Sequence, residues 1–391
     1  MINWWKILLT IIFPVFIYLV FFCRIHWVRH LDSKKKAYYA RVKLRNIQDS
    51  NPVYPNGWFA ILDSHELKKE GVKHVTALGE TFAVYRTKNG DVHILDAYCP
   101  HLGANMAEGG KVIGNCLQCP FHGWSFRPTG ECNNVPYSDR IPSNARVRAW
   151  KSLEVNNLIF VWYHAEKEDP QWFPQPITQL ANNSYWCQGR NEYIINSHIQ
   201  EVPENGADWA HLTALHGPGM FLDSYLPGLS RHSWTDTDWK PRPDHLPQET
   251  PARPHEAFAA LSHTLILFNK FSLMHLRIIA EQIGPGYVEL TMNTGFGKIF
   301  IIQTVTPVEP FQIRVTHSVY STPWNALFGK IIFLGECFMF ERDVHVWNHK
   351  VFLKNPLLLP EEKKIKAFRK WYKQFYSANS PTYHSIKSLE W

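Results

Sequence analysis

Two short clusters, Cys99-Pro100-His101 and Cys119-Pro120-Phe121-His122, have the residue types and spacing of a metal site. Each offers one thiolate and one imidazole, and seventeen residues separate His101 from Cys119. Proline stiffens both loops, and glycine follows each histidine, as Gly103 and Gly123. Zinc held by two Cys and two His usually takes like ligands in pairs, Cys-x-x-Cys and then His-x-x-x-His. One Cys and one His per loop suits a two-iron, two-sulfur cluster, in which two thiolates hold one iron and two imidazoles the other. Replacing thiolates by neutral imidazoles raises the reduction potential above that of four-Cys ferredoxins. A structural zinc site is the alternative.

A second cluster follows about eighty residues on. Glu204-Asn205-Gly206-Ala207-Asp208-Trp209-Ala210-His211 precedes His216 by a short step. On one helix, Glu201, Glu204, Asp208 and His211 would share a face, with His216 near the helix end before Gly217-Pro218. Two histidines and a carboxylate from elsewhere make the facial triad of non-haem iron(II) oxygenases, which leaves positions open for dioxygen and water. A surface helix with incidental histidines is the bland alternative. The carboxylate must come from far along the chain, where Glu336, Glu341 and Asp343 are available.

The run from Cys99-Pro-His-Leu-Gly-Ala through Cys119-Pro-Phe-His-Gly-Trp-Ser-Phe resembles the Rieske domains of ring-hydroxylating oxygenases, over residues 55–165. Rieske proteins of respiratory complexes carry an extra disulfide between the loops. The matching positions here are Ala104 and Phe121, so that bridge cannot form, and Cys116 reads as a buried thiol. Asp208-x-x-His211-x4-His216 resembles the catalytic domain of the same oxygenases. That resemblance implies His211 and His216 as iron ligands, and Asp208 as a bridge from His211 to cluster ligand His122 of a neighbouring chain in a homotrimer. Glu341-Arg342-Asp343-Val344-His345-Val346-Trp347 resembles a Glu-x-Asp-x-x-x-Trp segment of steroid-hydroxylating relatives, which implies Asp343 as the third ligand.

The whole chain resembles the Neverland-type cholesterol 7-desaturases of animals. The resemblance implies conversion of cholesterol to 7-dehydrocholesterol in steroid-hormone synthesis. It implies dioxygen as co-substrate and electrons from NADH or NADPH through a separate reductase. The ligands alone do not separate desaturation from hydroxylation, so a Rieske monooxygenase acting on another steroid or lipid stays open. So do an electron carrier without the second iron and a zinc-stabilised scaffold.

The rest of the sequence sets the frame for these sites. The chain has 391 residues, 45% hydrophobic and 19% charged, which supports a sizeable core and argues against disorder. The net charge is +7, but Lys and Arg are scattered outside Lys34–Lys36 and residues 363–373, which argues against nucleic acid as a partner. Seven cysteines, an odd number over a long chain, do not read as a disulfide framework. No strand-linked Gly-x-Gly-x-x-Gly occurs, so no nicotinamide or flavin site is expected on the chain itself.

Residues 4–22 carry only Lys6 as a charge and approach the ~20 residues of a spanning helix, with Trp4 and Trp5 at an interfacial position. Arg24, Arg29 and Lys34–Lys36 follow, so the positive-inside rule places the catalytic body in the cytosol. A single-pass anchor in the endoplasmic reticulum is therefore expected, rather than a cleaved signal peptide. The expected fold is α+β. It comprises an N-terminal transmembrane helix within 1–30, a basic spacer over 31–54 and an all-β Rieske domain over 55–168. A Pro-rich linker over 169–176 then leads to a helix-grip-like catalytic domain over 177–391 with an antiparallel sheet. Lys88-Asn89-Gly90-Asp91 predicts a hairpin between 82–86 and 92–95. Strands are predicted at 288–293, 299–305 and 313–319, and helices at 333–351 and 361–376.

Overall fold

The structure is a computed structural model that describes residues 8–30, 51–219, 229–241 and 253–387. The chain forms two compact units. One gathers residues 1–51, 178–305 and 311–374; the other gathers 52–177, 306–310 and 375–391. Neither unit is one continuous segment: a turn and the C-terminal residues return to the unit built mainly from 52–177.

That smaller unit is mainly β, with a 3-10 turn at Ser64–Glu66 and a short helix at Tyr383–Lys387. A four-stranded sheet orders Ala149–Trp150, Val92–Asp96, Glu80–Arg86 and Val72–Ala77, and a three-stranded sheet orders Ser152–Val155, Leu158–Tyr163 and Gly57–Asp63. The expected hairpin forms, pairing Phe82 with Asp96 and Arg86 with Val92, with Gly90 at φ 106° in its turn. A third sheet, Lys111–Ile113, Cys116–Gln118, Ser125–Phe126 and Cys132–Asn134, holds the second cluster loop between its middle strands, and the first loop lies between Asp96 and Lys111. Leu95, Met106, Leu117 and Phe126 form the apolar floor beneath those loops.

The larger unit is built on eight strands. In chain order they are β1 (Ile25–His30), β2 (Trp186–Ile195), β3 (Ser230–Pro241), β4 (Glu256–Leu267), β5 (Phe271–Ile283), β6 (Tyr287–Thr294), β7 (Gly297–Glu309) and β8 (Gln312–Ser321). The sheet order is β1-β2-β8-β7-β6-β5-β4-β3. β1 pairs parallel with β2, while the pairings from β3 to β7 and of β2 with β8 are antiparallel. The three predicted strands lie inside β6, β7 and β8.

The longest helices described in this unit are α1 (Trp209–His216), α2 (Ala326–His349) and α3 (Lys363–Tyr372), beside short ones at Phe13–Ile17, Thr178–Ala181 and Glu201–Glu204. α2 begins seven residues before the predicted start, because Pro323–Asn325 forms a 3-10 turn that feeds the chain into it. It packs on β2 and β8. Close approach needs two glycines: a Cβ on Gly189 would lie 2.6 Å from the Phe333 ring, and one on Gly329 would lie 2.8 Å from Ser321 Oγ. Phe333 is fully buried with Ile299, Ile301, Val319 and Cys337, and its truncation to Ala would cost about 3–5 kcal/mol. α3 is shorter than predicted, since single 3-10 turns at Pro360–Glu362 and Lys373–Phe375 flank it.

Two sequence expectations are corrected. No helix among the described residues is long and apolar enough to cross a membrane. The helical run ends at Phe22, and the chain then extends at Cys23 into β1. Its described part is three five-residue segments from Leu8 to Phe22, about 22 Å at ~1.5 Å per residue, against a hydrocarbon thickness of ~30 Å. Residues 1–7 and all but the last four residues of the expected 31–54 spacer lie outside the described residues. The second correction concerns the single helical face proposed for Glu201, Glu204, Asp208 and His211. The helix breaks after Glu204, and Asp208 is extended, at φ −98° and ψ 92°.

Candidate metal centres

The two cluster loops are local copies of each other. In the first, Cys99 N–H donates to Ala104 O at 2.9 Å and Gly103 N–H donates to Cys99 O at 2.9 Å. In the second, Cys119 N–H donates to Trp124 O at 2.7 Å and Gly123 N–H donates to Cys119 O at 3.2 Å. Gly103 and Gly123 stand at φ 73° and 74°, a region that favours glycine, and this closes both turns in the same way.

Both turns point their side chains at one place. Cys99 and Cys119 are buried, and the rings of His101 and His122 meet edge to face at 4.7 Å. His101 also stacks on Trp124 at 4.8 Å, and Trp124 Nε1 donates to Tyr137 OH at 2.8 Å, which fixes the ring. Burial pushes the Cys99 thiol up to about 11, with the neighbouring Cys119 adding to it. A buried thiol of this kind becomes a thiolate only beside a cation, which fits a metal group. A single tetrahedral ion would draw all four ligand atoms together. Among the described residues these four do not form such a set, while two other groups lie within 4.8 Å, so the arrangement suits a two-metal cluster better than zinc.

The second centre lies wholly in the larger unit. His211, His216 and Asp343 bring one ligand atom each to within 4.8 Å of one another. α1 supplies the first two. Asp208 caps that helix: its carboxylate accepts from Ala210 N–H at 3.1 Å and His211 N–H at 3.3 Å, and its carbonyl accepts from His211 Nδ1. Burial holds His211 below the usual histidine range, so its ring is neutral and has a lone pair to give. His216 Nε2 is 3.1 Å from Asp343 Oδ2.

Among the candidate carboxylates, Asp343 alone reaches this place. Glu341 is held by Trp27 Nε1 at 2.9 Å and Arg29 at 3.0 Å. Glu336 accepts from Asn191 Nδ2 at 2.6 Å and faces His317 at 3.2 Å. His345 and His349 are exposed. Of the residues left without a role by sequence, Glu204 forms a two-pronged pair with Arg369 at 2.7 and 2.8 Å.

Two positioning roles were not read from the sequence. Asn205 Nδ2 donates to Asp343 Oδ1 at 3.2 Å. Arg342 donates to the carbonyls of Leu215, Pro218 and Gly219 at 3.0, 3.0 and 2.9 Å, which ties α2 to the end of α1 on either side of His216. Spacing gives no sign of either contact, since each joins segments more than a hundred residues apart.

His211, His216 and Asp343 stand on the wall of a cavity of about 480 Å³. Its lining is mostly apolar, with Ala260, Leu276, Ile278, Leu290, Met292 and Ile301 prominent. That size and character belong to small-molecule sites. An apolar cavity beside two imidazoles and a carboxylate suits an apolar substrate placed next to the metal that these ligands would hold.

Known proteins bear on this geometry. Residues 57–147 match the model of the Rieske [2Fe-2S] domain, and residues 161–376 match that of the 3-ketosteroid 9alpha-hydroxylase C-terminal domain. The chain is 40% identical to cholesterol 7-desaturase nvd of Drosophila melanogaster over 96% of this chain and 92% of that one. It is 42% identical to cholesterol 7-desaturase nvd of Xenopus laevis, over 84% and 73% of the respective chains, and 38% identical to cholesterol 7-desaturase of Caenorhabditis elegans, over 86% and 80%. Among solved structures, dicamba monooxygenase bound to 3,6 dichlorosalicylic acid aligns with a TM-score of 0.61 at 14% identity, over 87% of this chain and 100% of that one. At that identity the likeness shows the fold alone. Sequence, fold and the two assembled ligand sets thus agree, and the chain belongs to the cholesterol 7-desaturase family of Rieske-type oxygenases.

Proposed function

We propose that the protein desaturates cholesterol to 7-dehydrocholesterol, as the names of its relatives suggest. The observation that carries this reading is the His211, His216 and Asp343 set on the wall of an apolar cavity of about 480 Å³. Cys99, Cys119, His101 and His122 would hold the [2Fe-2S] cluster, and His211, His216 and Asp343 the mononuclear iron. The cluster supplies single electrons from a separate reductase, and the iron supplies the place where dioxygen is reduced. Removing two hydrogens from the sterol and adding two electrons and two protons reduces one dioxygen to two waters, so the reaction balances.

The chain's own residues do the rest. The apolar wall binds the sterol and excludes water from the reacting carbons. Asp208 and Asn205 hold His211 and Asp343 in place. The test is incubation of purified protein with cholesterol, dioxygen, NADH or NADPH and a reductase, with products identified by mass spectrometry. We expect loss of two hydrogens at the sterol. Gain of one oxygen would instead favour a hydroxylase, the reading prompted by the 3-ketosteroid 9alpha-hydroxylase match.

We further infer a homotrimer in which Asp208 meets the cluster ligand His122 of a neighbouring chain. Exposed Leu102 and Phe121 beside the cluster histidines, and exposed Trp209 beside Asp208, suit burial against such a neighbour. The large sheet with α2 laid on it suits the helix-grip arrangement.

We also infer that the protein works at the cytosolic face of the endoplasmic reticulum membrane. Support comes from one end of the large sheet. Phe268 and Phe271 at the β4–β5 tip, Phe296 at the β6–β7 tip, Trp324 after β8, and Leu327 and Ile331 of α2 are all exposed there. Phe22 leads into β1 at the same end, since Ile25 aligns with Gly189 and Trp186 with Ser321. Segments 265–274, 292–299 and 321–331 contain no Asp or Glu; Lys270 and Lys298 are exposed there, while Lys330 is buried and donates to the carbonyls of Cys23 and Gln188. An acid-free apolar rim with lysines matches an anionic bilayer surface.

A further inference from the structure

Glu336 of α2 brings a carboxyl group to the wall of the apolar cavity. Its side chain is 16% accessible, so its neighbours do not close it off. Three residues of the sheet hold it. Asn191 of β2 and His317 of β8 align directly across their strands. Asn191 Nδ2 donates to Glu336 Oε2 at 2.6 Å, and His317 Nδ1 lies 3.2 Å from Glu336 Oε1. Gln303 Nε2 of β7 meets the other ring nitrogen, His317 Nε2, at 2.8 Å. Gln303 and His317 line the same cavity.

Backbone decides which of these groups donate. The His317 N–H donates to Asn191 Oδ1 at 2.9 Å, which leaves the amide nitrogen toward Glu336. The same oxygen is 3.0 Å from His317 Nδ1, so that nitrogen carries the ring proton. Nε2 then keeps a lone pair for the Gln303 amide. Burial brings His317 down to about 3, so the ring holds no second proton at neutral pH. Both oxygens of Glu336 therefore face N–H groups, and neither contact offers the carboxyl an acceptor. Burial raises Glu336 to about 8; the Asn191 bond pulls the other way, and the charge of Asp343 adds to the rise. At neutral pH the group is thus an acid whose O–H is unmatched by these neighbours. A hydroxyl oxygen in the cavity supplies the acceptor. An apolar group in its place would leave the O–H unpaired, at a cost of roughly 1–3 kcal/mol.

Helix geometry relates this group to the metal ligands. Glu336 and Asp343 are two turns apart on one face of α2, about 10 Å along its axis, and both line the cavity. In cholesterol the hydroxyl stands on the first ring and the reacting carbons on the second. A molecule held at Glu336 and lying along α2 therefore carries its second ring toward Asp343. We propose that Glu336, held by Asn191 and His317, seats the hydroxyl group of the sterol, and that this anchor decides which ring carbons face His211, His216 and Asp343. This rests on the sterol reading above.

The test compares cholesterol with its 3-deoxy analogue, cholest-5-ene, by equilibrium binding to the holoenzyme and by product analysis. The preference for cholesterol should be about tenfold greater in wild type than in Glu336→Leu, the worth of one buried hydrogen bond. Taking the ratio between the two proteins cancels the different solubilities of the sterols. Glu336→Gln, which keeps an N–H for the cavity, should keep part of the preference. An unchanged cluster spectrum and iron content show that each variant is folded. Wild type alone gives a second measurement: it should react with cholesterol at one position and with cholest-5-ene at several. An equal preference in wild type and Glu336→Leu, or one shared position of reaction on both sterols, overturns the seat and leaves the sterol reading standing. Failure of wild type to bind either sterol overturns both.

Discussion

Asn205 donates its side-chain N–H to Asp343 Oδ1 at 3.2 Å, on the oxygen opposite the one that faces His216. The amide therefore orients the carboxylate without competing for its inward oxygen. Asn205→Ala should weaken mononuclear-iron binding by about 10–100-fold, the usual effect of losing a group that orients a metal ligand. The cluster spectrum should stay unchanged, because Asn205 touches none of the four cluster residues. Iron titration of the variant, followed beside cluster absorbance, checks this; wild-type affinity would show that Asp343 needs no such support.

Arg342 acts from the residue beside Asp343, with three carbonyl partners around His216. Charged hydrogen bonds of this kind contribute about 1.5–3 kcal/mol each, less when shared on one group. Arg342→Ala should lower apparent stability by about 2–3 kcal/mol and lose mononuclear iron as the ends of α1 and α2 part. Arg342→Lys keeps the charge but not the fork, so it should restore only part of the loss. Denaturant unfolding and iron analysis of the two variants separate these outcomes.

Asp208 has two tasks that substitution can separate. As the N-cap of α1 it holds two backbone N–H groups, and asparagine does this as well as aspartate. Asp208→Asn should therefore keep stability within about 0.5 kcal/mol and keep both metals, while Asp208→Ala should lose about 1 kcal/mol. If the carboxylate also carries electrons to its neighbour, Asp208→Asn should slow single-turnover oxidation of the reduced cluster. A normal rate in that variant would leave Asp208 as a cap only.

How much of this could be read from the sequence depends on how far apart the partners lie. The cluster loops were legible because Cys99 to His101 and Cys119 to His122 are local, and glycine at a fixed offset closes each turn. His211 and His216 were legible for the same reason. The break between Glu204 and Asp208 was not, because an aspartate at helical spacing looks the same whether it extends one helix or caps the next. The largely apolar run over residues 4–22 matched a spanning pattern, but β1 draws the chain into the sheet directly after Phe22. Strand pairing over a long sequence distance leaves no local periodicity to read. The contacts of Asn205 and Arg342 were invisible on the same ground.

The face of the sheet that carries Glu281 and Glu289 sets a pH dependence. These two residues align across β5 and β6, and Tyr287 OH donates to Glu289 at 2.9 Å. Burial, followed by the charge of Glu281, raises Glu289 to about 7, although the tyrosine bond pulls the other way. The native state thus keeps a proton that the unfolded chain releases near its ordinary value of 4.5. The stability this gives is present below that value and is lost as pH rises toward 7. Glu289→Gln should remove the dependence and make the protein more stable by roughly 1–2 kcal/mol at pH 8. Unfolding midpoints measured from pH 5 to 8 in both proteins give the comparison.

The exposed rim at the end of the large sheet makes a prediction about lipid. Trp324 is 95% exposed and Phe296 75% exposed, and Phe296 also packs on Phe328 at the start of α2, so the rim is held rather than loose. Each large side chain that enters the interface contributes on the order of 1–2 kcal/mol, and each lysine near an anionic surface about 1 kcal/mol. The purified protein should float with vesicles that contain phosphatidylserine and should float less with pure phosphatidylcholine. Trp324→Ala with Phe296→Ser should reduce partitioning at least tenfold, while leaving cluster absorbance and turnover of detergent-dispersed sterol intact. Lys270→Glu with Lys298→Glu should weaken binding to the anionic vesicles alone. If the apolar pair has no effect on flotation but shifts the molecular mass in solution, the rim packs against another copy of the chain and the membrane reading fails.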